Sequence, residues 1–210
     1  MLRFSITVFF LVNAVLGIGL AAGDTPLQVH YATHLKDGDA MINITNTGAG
    51  TTAFSLTTPS VGNLCANVYA FSVDERLVSC CSCLVTPNAL VSLSARNDLV
   101  SNTLTGQLED SIVVKVLATN PGGGFCNAAT AGISTSLATG LLAWGTTLHT
   151  APAGSATKYH MTETPFSPAR LAAGELTRFT QMCAFMQVNG GGQGLCYTCR
   201  LGAYGAVGVE

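Results

Sequence analysis

The residues best equipped for chemistry in this chain are its eight cysteines. Cys80 precedes a C-x-C, Cys81-Ser82-Cys83, and Cys196-Tyr197-Thr198-Cys199 is a C-x-x-C, while Cys65, Cys126 and Cys183 stand alone. An even number of cysteines suits a disulfide framework, so all eight are crosslink candidates. A redox-active dithiol would need its C-x-x-C at a helix N-terminus following a strand, where the helix dipole lowers a thiol pKa. Here the motif follows the glycine-rich run Gly190-Gly191-Gly192-Gln193-Gly194 instead. A thiolate metal set could combine Cys81 and Cys83 with Cys196 and Cys199, since two- to four-residue spacings match zinc ligation. Covalent haem requires C-x-x-C-H, and Arg200 occupies the histidine position. No cofactor is implied.

Other chemistry is sparse. His30, His34, His149 and His160 form no H-E-x-x-H motif. His30 and His34 would lie ~13 Å apart along one strand, too far to share an ion. His149 and His160 fall in segments that read as hairpin partners, where a facing pair can form, although ordinary alternation favours plain solvent-facing polar positions for both. Ser134, in Gly132-Ile133-Ser134-Thr135-Ser136, lacks the second glycine of a nucleophile elbow. Asp74-Glu75 and Glu109-Asp110 are adjacent acids at expected turns, whereas glycosidase work needs carboxylates facing across a cleft. Asp37-Gly38-Asp39 begins like a calcium loop, but Met41 follows where a further oxygen ligand belongs. Tyr69, Trp144, Tyr159, Tyr197 and Tyr204 are the aromatics that could serve a carbohydrate or surface contact. Asn43-Ile44-Thr45 fits the N-glycosylation pattern within an expected strand and is read as chance.

The elements that would position these residues read as mainly β. Leu27 to His34 alternates with period two, its apolar face carrying Leu27, Val29 and Tyr31, and a turn at Lys36-Asp37-Gly38-Asp39 leads to a strand over Ala40 to Thr47. These two are expected to form a hairpin. Leu64 to Phe71, Arg76 to Val85 and Ala89 to Ala95 read as a three-stranded meander. Ile112 to Leu117 is apolar except for Lys115, so it should be a central strand covered on both faces. Leu142 to Thr150 and Thr157 to Thr164 read as a second hairpin, and Asn127 to Gly140 has no clear period.

The period then changes. Leu176, Phe179, Cys183 and Met186 place one apolar stripe on a helix over Glu175 to Val188, with Ser167-Pro168 as a candidate start and Asn189-Gly190 as the stop. Such a helix is expected to cover an edge or an end of the sheets. The fold class is therefore an antiparallel β-sandwich, immunoglobulin-like or jelly-roll-like, of about eight strands with one C-terminal α-helix packed on it and disulfides holding it together. Residues 24–166 would form the sandwich and 167–210 a helix and cysteine-rich segment packed on the same domain. With a three-residue loop from Val73 to Glu75, Cys65 would lie across from Cys83, and a shorter or longer loop would shift that register. The glycine run would let one cysteine of the C-x-x-C bridge to Cys183 and the other reach the strand cysteines or Cys126.

Composition bounds the role. In 210 residues only 10% are charged, with a formal net charge of -2, which argues against a nucleic-acid partner. Met1-Leu2-Arg3, an apolar run to Leu20 and small residues at 21–23 predict a secretory signal peptide over 1–23. A retained anchor is the rival, since the run approaches a spanning length. Export would place the cysteines where disulfides persist and leave no membrane span after cleavage. The expectation is a secreted, periplasmic or cell-surface protein with a non-catalytic role in binding, adhesion or extracellular structure, its ligand a protein or glycan. Two alternatives stay open: an exported thiol-disulfide redox or metal-binding protein using the C-x-x-C, and a small carbohydrate-active hydrolase.

Overall fold

A computed structural model describes residues 25–50, 62–122, 125–132, 137–172 and 174–196. The expected signal segment, Ser134, Tyr197, Cys199 and Tyr204 lie outside the described residues. Among the described residues, nine strands appear in order: β1 (Leu27–Ala32), β2 (Asp39–Asn46), β3 (Leu64–Ser72), β4 (Leu77–Val85), β5 (Leu90–Ser94), β6 (Ile112–Thr119), β7 (Leu141–Thr150), β8 (Tyr159–Pro165) and β9 (Ser167–Ala169). A helix, α1 (Glu175–Asn189), follows them. The molecule is mainly β, with two antiparallel sheets ordered β4-β3-β6-β1-β9 and β5-β2-β7-β8.

The five-stranded sheet has two apolar faces. Along β6, Ile112, Val114, Val116 and Ala118 enter the core between the sheets, while Leu117 and Val113 join a second cluster beneath α1. Alternation in β3 does the same, sending Val68 and Ala70 inward and Tyr69 and Phe71 outward. The expected central strand is thus central, between β3 and β1 and covered on both sides. The helix covers this outer face rather than an edge or end: Phe179, Cys183 and Met186 pack on Tyr69, Phe71 and Leu77. The result is three layers.

Several pairings differ from the sequence reading. β1 and β2 form no hairpin, because β1 pairs with β6 and β9 while β2 pairs with β5 and β7 in the other sheet. The expected meander keeps its β3–β4 pair, but β5 crosses to pair with β2. Alternation fixes which face a side chain takes and is silent on the neighbouring strand. β1 also presents its opposite face. Gln28 points between the sheets, where its Nε2 donates to Leu141 O at 2.7 Å and its Oε1 accepts from Ala143 N at 3.0 Å. An amide that satisfies backbone groups on both sides can be buried without loss. Tyr31, on the supposed core face, is exposed. Ser167-Pro168 opens no helix; it lies in β9, and α1 begins after Gly174, which takes the left-handed conformation at φ 77°.

Among the described residues, three disulfides tie the layers, each starting in β3 or β4: Cys65–Cys126, Cys80–Cys183 and Cys81–Cys196. The expected Cys65–Cys83 pair is displaced by a bulge. At the turn the register matches a three-residue loop, with Phe71 opposite Leu77, but Ala70 faces Ser79, so Val78 is the extra residue and Cys65 comes opposite Leu84. Cys183 bonds to Cys80 rather than to either cysteine of the C-x-x-C, because Cys80 is the strand cysteine on the helix side. Cys81 points into the inter-sheet core, where Cys196 meets it. Cys83 is disulfide-bonded as well.

His30 lines the seam between the sheets beside β7. Its ring stacks on Phe166 with centroids 4.7 Å apart, its Nε2 has no hydrogen-bond partner among the described residues, and a Cβ on Gly145 would come within 2.2 Å of that nitrogen. Burial holds its pKa below the ordinary histidine value. The unfolded chain therefore binds this proton more readily, so the His30 contribution is complete above pH ~6.5 and is lost as pH falls below it. His30→Phe should flatten this limb: in denaturant titrations the stability of wild type relative to the variant should decline between pH 7.5 and 5. The double variant Cys80→Ala/Cys183→Ala, which opens a link across 103 residues, should lose ~2–5 kcal/mol of unfolding free energy by the same measurement.

Candidate functional site

Concave surfaces lie where α1 meets the β3–β4 turn. Two cavities of about 590 and 690 Å³ both include Glu75 and Arg178 in their lining. Leu77, Leu104, Met182 and Met186 wall the first, while Phe71, Val113 and Phe179 wall the second. Phe185, on the rim of the first, is exposed. Together they make a groove with an apolar floor and a few charged groups, the usual make-up of a binding site.

The sequence builds each wall differently. Ser72 N bonds Arg76 O at 2.9 Å and Glu75 N bonds Ser72 O at 3.0 Å, closing a three-residue turn whose last position, Glu75, is left-handed at φ 65°. Glycine is the residue that takes this conformation at no steric cost, and a glutamate there is strained. Opposite the turn, Cys80–Cys183 fixes α1 to β4. Lys115 rises from β6 into the floor, where its Nζ bonds Glu175 Oε1 at 2.7 Å and lies 5.3 and 4.9 Å from the ring centroids of Phe71 and Phe179.

Most charges here are paired. Burial alone would raise the Glu175 carboxyl, but hydrogen bonds from Lys115 and from Ala172 N outweigh it and hold the group below its ordinary value. Arg76 Nε bonds Asp74 Oδ2 at 2.6 Å and Arg76 Nη2 comes within 3.8 Å of Glu109. The Ser72 hydroxyl and then Arg76 keep the Asp74 carboxyl low. Arg76 thus joins one member of each acidic pair read from the sequence, placing a cation between them instead of the open gap a glycosidase requires. Among the described residues, Glu75 and Arg178 make no ion pair, and each of them lines both cavities.

Comparison with known protein families, with curated proteins and with solved structures finds no match. The groove must be read from its own chemistry.

The remaining sequence candidates are dispersed. Tyr69 is fully buried, donating its hydroxyl to Ala128 O at 2.8 Å, and burial pushes its pKa up. Trp144 is half-buried on β7 and Tyr159 is exposed on β8, both away from the groove. Asp39 spends its carboxylate on Ala40 N, Arg96 N and the Ser94 hydroxyl, capping the short π-helical turn Ala95–Leu99, so the calcium reading gives way to a local cap. Burial raises the nearby Asp98 carboxyl, opposed by a hydrogen bond from Ser94 N and reinforced by the charge of Asp39. Asn43 donates to Thr146 Oγ1 at 3.0 Å and accepts from Ser92 Oγ at 2.7 Å, so its amide is engaged. Among the cysteines of the metal set, Cys81 and Cys196 are bonded to each other. His149 faces His160 across β7 and β8.

Sequence reasoning missed the groove, since its walls come from residues about 100 positions apart. One signal was present: the lone lysine in an otherwise apolar central strand. The left-handed glutamate supplies a test. Glu75→Gly should relieve the backbone strain and raise unfolding free energy by ~1 kcal/mol, read by chemical denaturation.

Proposed function

We propose that this chain is a non-catalytic, extracellular binding or adhesion module that engages a protein or glycan ligand through the groove beside α1. The observation that carries this reading is the placement of the crosslinks. Each described disulfide starts in β3 or β4, and one of them, Cys80–Cys183, ties β4 to α1, the strand and helix whose Leu77, Val78, Met182 and Met186 wall the groove. Walls held in place before binding lose little entropy when a ligand arrives. Three disulfides and the lack of any membrane-crossing helix among the described residues are compatible with an extracellular setting. The bond between Cys81 and Cys196 speaks for inert crosslinks over a redox dithiol, because the C-x-x-C does not close on itself.

The test is a binding screen of immobilised, disulfide-intact protein against glycan and extracellular-protein panels. A ligand of this groove should bind wild type at least tenfold more tightly than Arg178→Glu or Phe185→Asp, with all three proteins melting alike. Rapid alkylation of Cys196 and Cys199 in the native protein would overturn the reading in favour of thiol chemistry.

A further inference from the structure

β8 is the edge strand of the four-stranded sheet, paired only with β7 among the described residues, and every one of its residues is exposed. His149 and His160 are directly opposite each other in this hairpin. The hydrogen bonds that bracket it, Ala151 N to Lys158 O and Phe166 N to Ala143 O, both at 3.0 Å, set the parity of the ladder. By that parity, 149 and 160 form a pair that exchanges backbone hydrogen bonds, with side chains on one face and Cα atoms about 5.5 Å apart. Two imidazoles so placed can reach one ion at the ~2.0–2.1 Å that metal–nitrogen bonds need.

We propose that His149 and His160 form a cross-strand clip for a single divalent transition-metal ion of the zinc, nickel or copper type, with water completing its coordination. Imidazole suits these borderline ions, whereas magnesium and calcium prefer oxygen. The Thr162 hydroxyl lies 3.2 Å from His149 Nε2. With Nε2–H donating to Thr162, the lone pair on Nδ1 is left for the metal, and the hydroxyl orients the ring. His160 is exposed and completes the pair from the neighbouring strand. Neither of the other histidines takes part: His30 is packed against Phe166, and His34 is hydrogen-bonded to Thr33 beyond the end of β1. Binding would pin β8 to β7 at the end of the sheet that the sandwich core does not support.

Calorimetric titration of tag-free, disulfide-intact protein with zinc or nickel chloride at pH 7.5 tests the clip. One ion per chain should bind, with magnesium giving no heat. His149→Ala and His160→Ala should each weaken affinity at least tenfold, and His34→Ala should leave it unchanged. The metal should also raise the melting temperature of wild type and not of either variant. Unchanged binding in the His149→Ala/His160→Ala double variant, loss from only one of the single variants, or no binding by wild type would each overturn the proposal. Both histidines are at the surface, so the variants keep their fold, and the outcome is independent of whether the groove binds a ligand.

Discussion

A sheet that is apolar on both faces must be covered twice, and this requirement organises the molecule. The first face of the five-stranded sheet is buried by the second sheet through Val68, Val114 and Val116. The other carries Tyr69, Phe71, Leu77 and Leu117, which α1 and the segment around Ala128 cover. Burying such side chains contributes roughly 1.5–3 kcal/mol each, enough to hold a solitary helix that would be marginal in water. The groove exists because that cover is incomplete. One helix does not span five strands, and where it meets the β3–β4 turn the outer face remains partly open.

The same two-sided sheet explains the disulfide pattern. Adjacent residues on a strand point to opposite faces, so Cys80 and Cys81 reach different layers. Cys80 takes the helix and Cys81 takes the segment after it, which threads back toward the inter-sheet core. A second device, hydrogen-bonded rather than covalent, recurs on the outer faces of both sheets. Ser82, Asn67 and Thr119 form a row across β4, β3 and β6, and Ser92, Asn43 and Thr146 form its counterpart across β5, β2 and β7. In each the asparagine accepts from the serine and donates to the threonine, fixing three strands in register with polar groups that satisfy one another.

Much of the architecture was legible because periodicity reports burial directly. The run of β6, apolar apart from Lys115, announced a doubly covered strand, and the spacing of Phe179, Cys183 and Met186 announced the helix face that packs on it. Legibility failed where a polar side chain found a partner distant in sequence. Gln28 and His30 read as solvent-facing until Leu141, Ala143 and Phe166 are placed beside them. It failed again at Val78, where a single bulged residue displaced the cysteine register. The groove was invisible for the same reason: Lys115, Glu75 and Arg178 are brought together only by the fold.

The order of the cysteines along the chain constrains how the molecule can be made. Cys65, Cys80 and Cys81 all precede Cys126, Cys183 and Cys196, their partners, by 61 to 115 residues. During synthesis these sulfurs, together with Cys83, emerge as a crowded group of thiols whose correct mates do not yet exist. Any oxidation at that stage produces wrong pairs, and the native set is reached only by exchange through mixed disulfides after the helix arrives. Recovery of the native molecule from a reduced chain should accordingly be paced by reshuffling, with a catalyst of thiol exchange as its natural requirement.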